Sequence, residues 1–370
     1  MTSRFPRKAM LAVVWVLVIG MGVVLADSGA LHKSLQTPPV KLGTSGGNVN
    51  NISSAFCCSG TLGSLVIKSG ANYILSNNHV LADSDTATVG DNISQPGLID
   101  VNCNANNAQV VADFSEAVKL GTANVDAAIA QIVSGKVDTS GAILDVDIPA
   151  STTAPIDNTA VGRGVAKSGR TTGLTCATIG SINTNVKVQY QKGCNQGKKF
   201  TVRYANQILI NSSSFSAGGD SGSLIVTSDT AEPIGLLFAG SSTTTIGNRI
   251  SDVISALNVA FVGGNTHVVS CPGAAAASVA ALTPGAANRA TAAKEAQADR
   301  LMTDAAVLGV GVGANPDNPN EPVVVIYVQE GRAHGPIPAV LDGVRTQVIR
   351  TDAFRAFGWN EPTAKPCSAK

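Results

Sequence analysis

Short apolar runs punctuated by turn residues fill the middle of the chain. They fall at residues 63–67, 73–75, 108–112, 129–133, 179–188, 207–210, 224–226 and 234–238, separated by Gly, Asn, Ser or Asp. The runs are rich in Val and Ile and too short for helices, so they predict many brief strands, the pattern of an all-β sandwich or barrel pair. Residues 250–257 are the exception and predict one helix. Upstream, residues 27–52 are polar and glycine-rich without periodicity and predict a loose segment. Downstream, residues 263–288 are rich in Ala, Gly and Pro and read as a linker. Residues 289–370 predict a small α/β domain, with an alanine-rich helix over 290–302 and strands near 307–313, 323–329 and 346–349. The string Gly309-Val310-Gly311-Val312-Gly313 lacks the lysine of a phosphate loop and the helix of a dinucleotide site. It predicts a strand closely approached by another backbone.

The first residues change the picture of where this chain works. Arg4, Arg7 and Lys8 precede a continuous apolar stretch over 11–26, which ends in Val24-Leu25-Ala26 before polar Asp27. This is the layout of a signal peptide, residues 1–26, removed on export, and it predicts a secreted or periplasmic protein. The rival, an uncleaved anchor, has a short stretch with which to cross about 30 Å of hydrocarbon; after cleavage no stable membrane span is expected. Charged residues are only 14% of the chain and the formal net charge is +1. No basic run stands out, so a nucleic-acid partner is not expected.

Export permits disulfides. Seven cysteines are present, an odd number, so at least one is free or pairs between chains. No Cys-x-x-Cys spacing with a nearby histidine occurs, so neither a metal nor a cofactor is expected. Cys176 and Cys194 flank an expected hairpin over 178–190 and predict a bridge. Cys103 has Cys57 or Cys58 as partner, and Cys271 with Cys367 would close the C-terminal region.

Candidate chemistry lies in Ser216-Ala217-Gly218-Gly219-Asp220-Ser221-Gly222-Ser223. A serine between glycines, ahead of an apolar run, sits on a turn that can aim the amides of Gly219 and Ser221 at one point, as an oxyanion hole requires. Taken alone, such a string is more often a plain turn. Its partners stand upstream in usable order. His79, one of four histidines, follows the strand-like run at 73–75, and Asp126 opens the run at 129–133. Each alone has a bland reading, a satisfied imidazole or a capping carboxylate. Together they supply a base and the group that orients it.

The order His79, Asp126, Ser221 in these contexts resembles the trypsin/chymotrypsin-like serine proteases. Gly219-Asp220-Ser221-Gly222, Asn78-His79-Val80 and Val125-Asp126-Ala127-Ala128-Ile129 stand where that family carries its three catalytic motifs. Lys167-Ser168-Gly169-Arg170-Thr171-Thr172-Gly173-Leu174 looks like a segment of bacterial secreted members of the α-lytic and streptogrisin type. The resemblance covers about residues 55–262 and implies a trypsin-like domain over 53–262: two antiparallel β-barrels with the triad in the cleft between them. It also implies a serine endopeptidase acting on peptide or protein substrates through an acyl-enzyme, and a substrate pocket walled by Phe238, Ala239 and Gly240. Phe215 stands where trypsin has an aspartate, which implies a preference for uncharged side chains. Val80 replaces the family's usual cysteine, and Ser223 its usual glycine. The alternative reading is a catalytically silent module that binds a partner through the same cleft.

Overall fold

The computed structural model describes residues 28–53, 56–271, 282–356 and 364–366. The signal segment, residues 272–281 of the linker and Cys367 therefore lie outside the described residues. The strands are β1 Thr44–Asn48, β2 Phe56–Cys58, β3 Gly60–Leu62, β4 Ser64–Lys68, β5 Ala71–Ser76, β6 Asn92–Gln95, β7 Gln109–Ala117, β8 Ala128–Ile132, β9 Gly164–Gly169, β10 Gly173–Thr178, β11 Ser181–Gln191, β12 Lys199–Asn211, β13 Leu224–Thr227, β14 Pro233–Gly240, β15 Thr244–Arg249, β16 Ala260–Phe261, β17 Val307–Asn315, β18 Asn318–Gln329, β19 Val340–Leu341, β20 Val344–Thr351 and β21 Ala364–Pro366. Two sheets carry most of them. The first runs β16-β4-β5-β8-β7-β6-β1-β3, and the second β10-β9-β13-β14-β15-β12-β11-β17-β18-β20-β19. Pairing is antiparallel throughout both except between β18 and β20. The protein is thus mainly β, as its short Val- and Ile-rich runs predict. Among the described residues, no helix is long and apolar enough to cross a membrane.

Leu62, Leu65, Ile74, Leu75, Ile93, Val111 and Ile129 fill the core under the first sheet, and Val253 and Leu257 of the helix Ile250–Leu257 cover it. The core under the first sheet also takes Leu224, Val226 and Leu236 from the second. The second core is filled from Ile179, Ile182, Ile208, Ile225 and Ile234.

Two stretches depart from the sequence-based expectation. The region 27–52 is not loose. Val40 and Leu42 are fully buried, and β1 pairs with both β3 and β6. Its sequence, TSGGN, has no apolar residue to betray a strand; Gly46 is required because a Cβ there would lie 2.4 Å from Leu62 Cγ. The C-terminal region has the expected helix, Pro284–Leu301, and the expected strands. They build no sheet of their own: β17 pairs with β11, extending the second sheet. Ala290, Ala293, Val310 and Val324 accordingly share one core with Ile182 and Ile225. The close backbone approach expected at the Gly-Val repeat is present, for a Cβ on Gly309 would lie 2.8 Å from Asn185 O and one on Gly313 2.8 Å from Gly180 O.

Three disulfides join Cys57 to Cys103, Cys58 to Cys194 and Cys176 to Cys271. They are consistent with an oxidising compartment. The expected Cys176–Cys194 bridge is wrong, because residues 178–190 are not a hairpin. Cys176 lies on β10, which pairs with β9, while β11 continues for 11 residues before Cys194. Cys271 is correspondingly not paired with Cys367.

Candidate active site

His79 lies in the one-turn helix Asn78–Leu81 directly after β5, and Asp126 directly precedes β8. Because β5 and β8 are hydrogen-bonded neighbours, the two side chains meet. His79 Nδ1 is 2.6 Å from Asp126 Oδ2, and the His79 amide donates to Asp126 Oδ1 at 3.2 Å. Both residues are fully buried. The carboxylate has further support from the second sheet. The Tyr190 hydroxyl of β11 donates to Asp126 Oδ2 at 2.8 Å, and Asn248 Oδ1 of β15 accepts from the Asp126 amide at 2.9 Å. Tyr190 also touches the Tyr204 hydroxyl at 2.8 Å. Burial and the adjacent Asp126 charge push the Tyr190 phenol well above its ordinary range, so it stays a neutral donor. Asn77 and Asn78 turn inward: Asn77 Nδ2 donates to Asp126 O at 2.7 Å and Asn78 Nδ2 to Val118 O at 2.8 Å.

Ser221 sits on the turn between residue 216 and β13, and β3 packs this turn against the histidine. Thr61 N donates to Ser221 O at 2.8 Å. A Cβ on Gly60 would lie 2.6 Å from Val80 Cγ2 and 2.9 Å from Ser221 O. One glycine thus separates the residue after His79 from the serine backbone. Gly219 and Gly222 have φ of +98° and +96°, and a Cβ on Gly222 would strike Thr61 O at 2.2 Å.

Asp220 holds this turn from inside. Its Oδ1 accepts from the amides of Thr171 (2.8 Å) and Thr172 (3.2 Å), and its Oδ2 from Thr172 Oγ1 (2.7 Å) and the Ala217 amide (3.0 Å). These four hydrogen bonds are joined by a charge partner that the sequence does not reveal. Lys167 of β9 is fully buried, with Nζ 3.6 Å from Asp220 Oδ2 and 2.8 Å from Gly173 O, and it also donates to Thr172 Oγ1. Burial lowers the Lys167 pKa, against the opposing pull of Asp220. Arg170, in the same segment, instead grips Asp100 through Nε and Nη2 at 2.7 and 2.6 Å. Nothing local in the sequence distinguishes the lysine that reaches Asp220 from the arginine that does not.

Three of the four expected pocket residues face elsewhere. The Phe215 ring is fully buried in the second core, 5.9 Å from Lys167 Nζ. Phe238 packs edge-on against Tyr204 with ring centroids 4.9 Å apart, and Ala239 is buried beside it. A register irregularity in β14 between Leu237 and Ala239 lets Phe238 and Ala239, consecutive in sequence, join one buried cluster. Gly240 does reach the cleft: its amide donates to Arg355 O at 3.0 Å and its carbonyl accepts from Arg355 N at 2.9 Å. Ser221 Oγ donates to Ala356 O at 3.2 Å.

A buried imidazole–carboxylate pair next to a serine on a glycine turn is the arrangement of an acyl-transfer site. The chain resembles bacterial trypsin-like serine proteases. Thermobifida fusca protease A is 17% identical and covers 58% of this chain and 98% of its own, with a TM-score of 0.38. A Nocardiopsis protease is also 17% identical, covering 59% and 97%, with a TM-score of 0.37. A glutamic acid-specific serine protease, described as using a histidine triad in substrate binding, is 22% identical and covers 60% and 100%, with a TM-score of 0.41. A family model described as the Nal1 C-terminal domain matches residues 110–250. No curated protein matches the chain.

Proposed function

We propose that the protein is an exported serine endopeptidase in which Ser221, His79 and Asp126 form the catalytic triad. The 2.6 Å contact between the buried His79 and Asp126, beside the Ser221 turn, carries this reading. With Nδ1 on Asp126, Nε2 is the nitrogen that takes the serine proton. Ser221 Oγ attacks the scissile carbonyl, and the amides of Gly219 and Ser221 stabilise the resulting oxyanion, typically by about 3 kcal/mol per donor. His79 then protonates the leaving amine, and water delivered through His79 hydrolyses the acyl-enzyme. Asp126 orients the imidazole and stabilises its charged form.

The test is phosphonylation by a fluorophosphonate, in which the serine oxygen displaces fluoride from phosphorus, with the modified residue located by peptide mapping. Modification should fall on Ser221, and Ser221→Ala should lower turnover at least about 10³-fold in a folded protein. Turnover unchanged in that variant would reject the assignment.

A further inference from the structure

Residues 353–356 lie in the cleft as a bound peptide would. Arg355 exchanges both of its backbone hydrogen bonds with Gly240, in antiparallel register. On the other side, Gln189 N donates to Phe354 O at 2.9 Å and Ala356 N to Gln189 O at 3.1 Å. The segment is thus strand-paired on both edges, and it presents Ala356 O to Ser221 Oγ. Farther on, β21 pairs antiparallel with β2, which leads into β3 of the first sheet. The chain therefore approaches along the second sheet, and β21 lies in the two-stranded sheet it forms with β2.

This is a built arrangement. Upstream, β20 is held parallel to β18, and Ser242 N donates to Asp352 Oδ1 at 2.9 Å. Phe354 is fully buried, 5.9 Å from the Tyr327 ring. An extended peptide added to a strand edge gains affinity from main-chain hydrogen bonds. A tethered one also gains an effective concentration of order millimolar, which a free substrate must match.

We propose that residues 353–356 are the resident ligand of the cleft, so that the full chain is latent until this segment is displaced. The ligand class is an extended peptide with a small side chain beside the serine. That Ser221 reacts rests on the function proposed above; that the segment occupies the cleft does not.

The experiment compares fluorophosphonate labelling of the full chain with that of Arg355→Pro, which removes the amide that donates to Gly240 while the Arg355 side chain it replaces is exposed. Ala356→Trp, too large to sit against the buried Ser221, is the second variant. Labelling should be at least about tenfold faster in either variant, the scale of losing one or two backbone hydrogen bonds. A peptide with the sequence of residues 352–356, added at millimolar concentration, should slow it again. Equal rates in the full chain and both folded variants would overturn the proposal and leave the nucleophile intact. If nothing labels, polarisation of a fluorescent version of that peptide decides. Binding to Arg355→Pro would keep the resident ligand and remove the nucleophile; no binding would remove the ligand as well.

Discussion

Two fully buried aspartates flank the site and are stabilised in different ways. Asp220 has four hydrogen-bond donors and a lysine, Lys167, 3.6 Å away. Asp126 has the Tyr190 hydroxyl, the His79 amide and an imidazole, and among the described residues no lysine or arginine pairs with it. The first carboxylate is neutralised once, at folding, and can only hold a shape. The second lacks a full counter-charge until the imidazole gains a proton. Its attraction therefore strengthens as the proposed reaction proceeds, the condition for an interaction to accelerate a step rather than merely bind.

Asp126→Asn breaks the comparison hardest. The amide keeps the shape but cannot stabilise an imidazolium, so turnover should fall about 10⁴-fold with the thermal transition little changed. A loss below tenfold would mean that Asp126 is structural, like Asp220. Lys167→Met should do the reverse and act first on stability. Leaving Asp220 buried without its cation costs about 3–5 kcal/mol, to be read by chemical denaturation, and adding Asp220→Asn should recover part of it. A fully stable Lys167→Met would mean that the amides alone suffice.

Tyr190→Phe sharpens the contrast more gently. It removes one hydrogen bond to a charged acceptor, worth about 1.5–3 kcal/mol, and should lower kcat more than it raises KM. The smallest effect is the alkaline limb. Burial lowers the Lys167 pKa, so the folded chain sheds this proton before the unfolded chain does. Between the two values the unfolded state binds more protons, and the contribution of Lys167 to stability rises with pH. If the proposed serine turn requires Lys167 in its charged form, activity should fall over the same range, below the value of about 10.4 of a free lysine. A rate that stays flat to about pH 11 would separate the serine turn from the lysine.

What was legible from the sequence follows the same divide. His79, Asp126 and Ser221 each sit in a local motif, and a turn or a strand end is enough to present them. Tyr190 and Asn248 act across sheets and Lys167 across neighbouring strands of one sheet, on partners chosen by register, and no window of sequence contains both ends. The strand β1 was hidden by its lack of apolar residues, and the bridges of Cys176 and Cys194 by a hairpin that is in fact one long strand. Residues 353–356 escaped notice because their pairing is two residues long and depends on what lies opposite.

The seat of Tyr190 has a consequence for the order of assembly. β11 is flanked by β12, which follows it closely, and by β17, which begins only at Val307. A nascent chain that has emerged as far as Val262 holds all three proposed catalytic residues yet leaves one edge of β11 open. Unpaired edges recruit other strands, and chains paused with one exposed are prone to associate. Expressing residues 27–262 alone should therefore yield aggregate rather than a smaller enzyme. Folding of the proposed catalytic half waits on the last third of the chain.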